Sequence, residues 1–302
     1  MSRRALLLVN PHACRGQEQR SKAIEQLQSL GLELIEESAA VAEQLPDVIR
    51  RYQDRVNLVI VGGGDGTLNA AVAGLVDTQL PLGILPLGTA NDLARTLEIP
   101  TCLTKACKII ATGQIRRIDL GWVNGKHFFN VASLGLSVQI ARQLSKEAKR
   151  RWGTLAYAAT ALRVVGQARP FRVEIRLNGE SIPTKTIQIA VGNGRYYGGG
   201  MTITDDATID DGRLDMYSLE TQHWWHILAL LPAMRQGEHT GWPGVRAFDG
   251  QEIEVYTHRP RAINTDGEIT TYTPAKFRVI PKAVSVFVPD QPDSTASPLD
   301  AG

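Results

Sequence analysis

The chain has 302 residues, 43% of them apolar and 21% charged, with a net charge of +2. These values exclude a disordered or fibrous chain and leave room for two domains, each with its own core. The near-neutral balance carries no nucleic-acid footprint, and no apolar run approaches the ~20 residues of a membrane-spanning helix.

The opening MSRRALLLVNP loses its apolar run at Asn10-Pro11 and reads as a first strand rather than a signal peptide. The first third then alternates strands and helices. Strands are predicted over 5–9, 32–35, 57–61 and 82–85, and helices over 19–30, 43–52, 68–76, 92–97 and 103–112. On the helix over 19–30, Ile24, Leu27 and Leu30 share one face. This rhythm predicts an α/β, doubly wound parallel-sheet domain over 1–117. From residue 118 the pattern changes to short alternating strands at 117–123, 127–132, 171–177, 180–191, 213–218, 251–257, 262–265 and 277–288. Asn-Gly turns at Asn124-Gly125 and Asn178-Gly179 separate some of them. A mostly antiparallel β domain is therefore expected over 118–289, interrupted by helices over 139–166 and 224–236. The polar tail over 290–302 is expected not to fold. Three cysteines, Cys14, Cys102 and Cys107, lack framework spacing and point to a reducing compartment.

The strongest chemical signal is Leu58-Val59-Ile60-Val61-Gly62-Gly63-Gly64-Asp65-Gly66-Thr67-Leu68-Asn69, a buried strand running through a glycine loop into a helix. Residues without side chains let backbone N–H groups approach phosphate oxygens, and the helix N-terminus adds a favourable dipole. Thr67 can donate a hydroxyl to phosphate. Asp65 would repel phosphate unless a Mg²⁺ lay between them. An ordinary capped strand–helix turn is the alternative. Asn69 stands where a dinucleotide fingerprint needs its third glycine, and no Gly-Lys-Ser/Thr of a P-loop occurs. A second unit, Leu82 to Pro86 followed by Leu87-Gly88-Thr89-Ala90-Asn91-Asp92, repeats the design. Residues 142–152 form a basic stretch ahead of the apolar 155–165, and the Trp-containing 223–231 is a second apolar candidate. Both suit a lipid surface, or an ordinary solvated or packed helix face.

Gly63-Gly64-Asp65-Gly66-Thr67 with Pro86-Leu87-Gly88-Thr89-Ala90-Asn91-Asp92 resembles the diacylglycerol kinase catalytic domain, and more closely the bacterial soluble lipid kinases of that superfamily. NAD kinases and sphingosine kinases share the first loop. The likeness runs from about residue 5 to 289. It takes in Asn10-Pro11, Ile118-Asp119-Leu120-Gly121, the motif from Phe129 to Gly135, Gly192-Asn193-Gly194 with Gly198-Gly199-Gly200, the motif from Asp210 to Asp215, Gly237-Glu238-His239 and Asp266-Gly267-Glu268.

The resemblance implies an ATP-dependent, Mg²⁺-dependent lipid kinase. Asn10, Gly63, Gly64, Gly66, Thr67, Asn69, Thr89 and Asn91 would hold the nucleotide. Asp65, Asp92 and Asp119, with Arg95, would form the polar cluster around Mg²⁺ and the phosphates. Ser38 stands where the family often has a nucleotide-touching Thr. Asp266-Gly267-Glu268 would supply the general base, with Glu268 favoured and Asp266 beside it. A second, structural metal, Mg²⁺ or Ca²⁺, is implied at Asp211 with the carbonyls of Thr208 and Arg213. The acceptor would be a membrane lipid such as diacylglycerol or phosphatidylglycerol, met by a cytoplasmic protein peripheral to the inner membrane surface. A homodimer is left open. The rivals are an NAD kinase and a non-catalytic nucleotide- or lipid-binding regulator.

Overall fold

The structure is a computed structural model and describes residues 3–10, 16–38, 41–143, 163–221 and 224–290. In the first domain β1 (Arg3–Val9), β2 (Leu32–Ser38), β3 (Leu58–Gly63) and β4 (Leu82–Pro86) pair in parallel, in the order β2-β1-β3-β4. Five helices accompany them: α1 (Gly16–Ser29), α2 (Leu45–Tyr52), α3 (Asp65–Thr78), α4 (Asp92–Thr96) and α5 (Leu103–Thr112). Helices on both faces explain the unbroken apolar runs. Leu6, Leu7 and Leu8 of β1, and Leu58, Val59, Ile60 and Val61 of β3, are at most 1% exposed. The chain passes from β1 outward to β2, then back to β3 on the other side. The crevice for a ligand in such a sheet lies at the carboxyl ends of β1 and β3.

The chain continues through β5 (Gln114–Val123), β6 (Lys126–Phe128), β7 (Val131–Gly135), α6 (Leu136–Gln143), β8 (Phe171–Leu177), β9 (Glu180–Thr186) and β10 (Gln188–Gly192). A short hairpin of β11 (Tyr196–Tyr197) and β12 (Met201–Thr202) precedes β13 (Leu214–Leu219) and α7 (Trp224–Gln236). Last come β14 (Val245–Gly250), β15 (Glu252–Thr257), β16 (Ala262–Thr265), β17 (Glu268–Tyr272) and β18 (Ala275–Val288). The expected mostly antiparallel second domain is present. One antiparallel sheet has the order β14-β13-β10-β7-β16-β17. One of its faces meets β8, β15 and β18 through a core that includes Phe128, Leu134, Ile189, Met216, Ile253 and Phe277. Its other face buries Val131, Ala190, Tyr217 and Leu219 against Leu136 of α6 and Ile227, Leu230 and Met234 of α7.

β18 belongs to both domains. Its Val286 pairs in parallel with Leu82 of β4, while its first half pairs antiparallel with β15. It also runs antiparallel to β5 on either side of a break between Ile280 and Val284. Two expected strands prove to be pairs. The strand predicted over 127–132 is broken at Phe129 and Asn130, for a reason that lies in the active site. The strand predicted over 180–191 is broken at Ile187, where the chain crosses from one sheet to the other. Strands β11, β12, β14 and β17 are unheralded, being too short or too polar to show alternation. Of the helix predicted over 139–166, α6 supplies the start, and residues 144–162 lie outside the described residues. So do most of the basic stretch, His223, Cys14 and the tail beyond Asp290. No described helix is long and apolar enough to cross a membrane.

Candidate active site

Both glycine loops sit at the carboxyl edge of the parallel sheet. β3 ends at Gly63, Gly64 is the N-cap, and α3 begins at Asp65. Asn10, just past β1, donates its N–H to Gly62 O at 2.9 Å and its Nδ2 to Thr67 Oγ1 at 3.2 Å. Thr67 is thus held in the first turn of α3, with its hydroxyl toward the end of β1. Exposed Ser38 ends β2 beside Val9, on the same edge. Asn69 lies within the first turns of α3, and its Oδ1 is buried without a partner.

The second loop packs directly on the first. Leu87 N–H donates to Gly63 O at 3.0 Å, and a Cβ on Gly64 would stand 3.2 Å from Gly88 Cα. Asn91 takes the left-handed conformation (φ 52°) and closes the loop reciprocally. Its Oδ1 accepts the Gly88 N–H at 2.9 Å and its Nδ2 donates to Gly88 O at 2.9 Å. This leaves Thr89 exposed within the turn. Asp65 Oδ1 accepts the Leu93 N–H at 3.0 Å, so the acid of the first loop satisfies an open donor at the start of the second loop's helix.

The second domain brings its acids to the same place. Asp266 and Gly267 both have positive φ, 47° and 101°, which suits a two-residue hairpin between β16 and β17. The Asp266 carboxylate accepts three backbone N–H groups: Phe129 at 2.7 Å, Asn130 at 3.0 Å and Val131 at 3.0 Å. That cradle is why the chain leaves the ladder between β6 and β7. Burial pushes the Asp266 carboxyl up to about 7, with the charge of Asp65 adding to the rise and the three amides opposing it. Glu268 opens β17, is exposed, and makes no hydrogen bond or ion pair among the described residues. A Cβ on Gly66 would lie 3.7 Å from its Oε1, so this free carboxylate hangs over the first glycine loop.

Asp92 is 5% exposed; its Oδ2 accepts the Gly199 N–H at 2.9 Å, and its Oδ1 has no partner. Burial raises its carboxyl above the usual carboxylate range and the nearby Asp65 adds to this. The Gly199 and Gly200 amides and Arg95 oppose it. Asp119 is placed differently, on β5, with both oxygens engaged by backbone: Oδ2 by the Gly212 N–H at 2.7 Å and Oδ1 by the Lys282 N–H at 2.7 Å. It ties the turn at Gly212 to the break in β18. Arg116 reinforces that turn with two bonds to Asp210, at 2.7 and 2.6 Å. In the turn the Asp211 carboxylate accepts the Arg213 N–H at 3.1 Å and lies 3.2 Å from Arg213 Nε, while Thr208 is exposed. No cluster of three or more His, Cys, Asp or Glu among the described residues is set to hold a metal.

The glycine loops fit a polyphosphate with a divalent cation. Their amides are bare of side chains, and Asp65 and Asp92 bring carboxylates to one edge. The buried, unpartnered Asp92 Oδ1 is an acceptor awaiting a cation or a donor. Sequence reasoning missed the amide cradle of Asp266, the Gly199 amide on Asp92 and the Arg116–Asp210 pair. The motifs containing Phe129 and Gly199 were visible, but a backbone N–H carries no residue-type signal.

Known proteins resemble this chain in sequence and fold. The diacylglycerol kinase catalytic domain family matches residues 4–123, and the YegS C-terminal NAD kinase beta sandwich-like domain matches residues 130–288. A diacylglycerol kinase of Staphylococcus saprophyticus is 26% identical over 298 residues, covering 96% of this chain and 97% of the relative. One from Staphylococcus aureus is 27% identical, covering 96% and 94%. The crystal structure of a diacylglycerol kinase from Bacillus anthracis superposes with a TM-score of 0.80 at 26% identity, over 95% of this chain and 97% of that one.

Proposed function

This chain belongs to the diacylglycerol kinase family and is a phosphotransferase, and we propose that it moves the γ-phosphoryl group of ATP onto the hydroxyl of a membrane lipid. One observation carries the reading: the free Glu268 carboxylate lies over Gly66 of the first glycine loop, with Asp266 close enough to feel the charge of Asp65. A carboxylate from one domain thus lies against a glycine loop from the other. In-line phosphoryl transfer needs those two groups adjacent.

In this reading the amides of the 63–69 loop and the Gly88 turn bind the polyphosphate. Asn10, Ser38, Thr67, Asn69, Thr89 and Asn91 position the nucleotide. Asp65 and Asp92 would hold Mg²⁺, which when bound neutralises charge on the phosphates. Glu268 takes the proton of the acceptor hydroxyl, and Asp266 fixes the hairpin that carries Glu268. Residues 1–117 form the nucleotide half, and residues 118–289 the half that receives lipid and supplies the base. The protein would reach its acceptor from the cytoplasmic face of the membrane.

The test is a screen with γ-labelled ATP over extracted lipids, diacylglycerol, phosphatidylglycerol, a sphingoid base and NAD. Label is expected in a lipid product and lost with EDTA, while circular dichroism stays unchanged. Labelled NAD phosphate with no labelled lipid would overturn the proposal.

A further inference from the structure

We infer that Arg195, which shares the ring of Tyr196 with Arg95, adds a second guanidinium to form a subsite for a phosphate group at the junction of the two domains; Arg95 itself is already implied near the phosphates by the family resemblance. Arg95 projects from α4 of the first domain. Arg195 lies in the connection between β10 and β11 of the second, and Tyr196 opens β11. The two guanidinium carbons lie 5.7 and 5.6 Å from the centre of the one ring. An aromatic face attracts a cation, but it does not neutralise one. Neither arginine forms an ion pair with a carboxylate among the described residues. Asp92, whose carboxyl feels Arg95, spends its Oδ2 on the Gly199 amide. Arg195 Nε is buried and has no acceptor. A buried guanidinium donor without an acceptor is costly, and its planar fork matches the oxygens of a phosphate. A bound phosphate would meet that donor and supply the counter-charge that both arginines lack.

The hairpin that carries the ring is fixed from both domains. Tyr196 N–H donates to Thr96 Oγ1 at 3.4 Å. Gly198, Gly199 and Gly200 all have positive φ (60°, 85° and 114°), which turns the Gly199 amide onto Asp92. Gly200 favours glycine through its φ of 114°, and a Cβ there would also push on Arg95 Nη1, 2.9 Å away. On the other side the Tyr197 hydroxyl bonds to the Tyr217 hydroxyl, which accepts Gln188 Nε2 at 3.0 Å. Each arginine is a short step from the proposed active site. Arg95 is one turn beyond Asp92. Arg195 follows Gly194, whose N–H donates at 3.0 Å to the carbonyl of Asn130, the residue whose own N–H holds Asp266. The subsite rests on the proposed function only for the source of its ligand. A phosphate ester could belong to the nucleotide or to the headgroup of an anionic lipid acceptor.

Arg195→Gln and Arg195→Lys separate the cases. Pyrophosphate titrated into the wild-type protein without Mg²⁺ is expected to bind. The Gln variant should bind it roughly tenfold more weakly or worse, the worth of one charge-assisted hydrogen bond, with Lys in between. In the kinase assay, a rise in KM for ATP with every acceptor assigns the subsite to the nucleotide. A rise in KM for phosphatidylglycerol alone, with KM for ATP and diacylglycerol unchanged, assigns it to a lipid headgroup. Wild-type protein that does not bind pyrophosphate, or a Gln variant unchanged in both affinity and KM values, overturns the inference. A protein that labels no lipid but binds pyrophosphate through Arg195 sinks the proposed function and leaves the subsite standing.

Discussion

Substituting Gly88 by Ala tests how closely the two loops must approach. A Cβ at that position would overlap Gly64 Cα, and would stand 2.9 Å from Asn91 Oδ1 and 3.1 Å from Gly64 N. Carbon atoms in contact sit roughly 3.5–4.0 Å apart, so the loops must separate by about an ångström. The obstacle is backbone, which cannot swing aside as a flexible side chain would. Overpacking of this kind costs roughly 1–3 kcal/mol, and a misplacement of about 1 Å can lower a rate by roughly 10²-fold. The neighbouring glycines supply an internal scale. A Cβ on Gly64 would lie 3.2 Å from Gly88 Cα, a contact that needs a shift of only a few tenths of an ångström. A Cβ on Gly66 would make only an ordinary 3.7 Å contact with Glu268 Oε1, within a helix that favours Ala. Turnover of labelled ATP, with calorimetric melting of each variant, should therefore show G88A damaged in both readouts and G64A less so. G66A should melt no lower than wild type yet bind nucleotide more weakly, because the added methyl intrudes where phosphate oxygens would sit. Wild-type turnover in G88A, or a lower melting temperature for G66A than for G88A, would refute this account of the loops.

Further outcomes follow from other sites. Glu268→Gln should lower kcat by roughly 10²-fold or more with little change in melting temperature, since the exposed carboxylate has no partner to lose; near-normal turnover would remove it as the base. Asp119→Ala should cost roughly 2–5 kcal/mol in denaturant unfolding, because the Gly212 and Lys282 amides lose their buried acceptor; a change below about 1 kcal/mol would contradict the clamp. Asp215, buried on β13 beside Arg213, has its carboxyl raised by burial from 3.8 to about 7. Between those values the folded protein keeps a proton that the unfolded chain has released, so stability falls as pH rises through the window. Asp215→Asn should flatten that fall by up to roughly 1.4 kcal/mol per pH unit, and identical slopes would sink the assignment.

Much of the fold was legible because burial on both faces leaves a local mark. β1, β3 and β4 read as unbroken apolar runs, and each runs into a loop or turn whose residues announce it. The Asp266-Gly267 turn was equally readable, since few residue pairs accept two positive φ values. The polar, edge-lying β17 was not readable, although it carries Glu268. Glu268 was singled out by the resemblance alone, and its Oε1 lies 3.7 Å from where a Cβ on Gly66 would stand. The resemblance implied Asp119 in the polar cluster around Mg²⁺ and the phosphates; what it did not reveal is that the carboxylate accepts the Gly212 and Lys282 amides at the break in β18.

Taken alone, the order of residues determined which segments are buried, which turns are glycine-dependent and where acids accumulate, because these follow from neighbours within a few positions. Tertiary structure alone decided what each acid touches. Asp65 meets the Leu93 amide, Asp266 three amides before and within β7, Asp92 the Gly199 amide, and Glu268 the surface above Gly66. Every residue except proline carries the same N–H, so nothing in a side-chain pattern marks which one a distant carboxylate will find. Only the packing of two domains on a shared β5–β18 ribbon brings them within hydrogen-bonding distance.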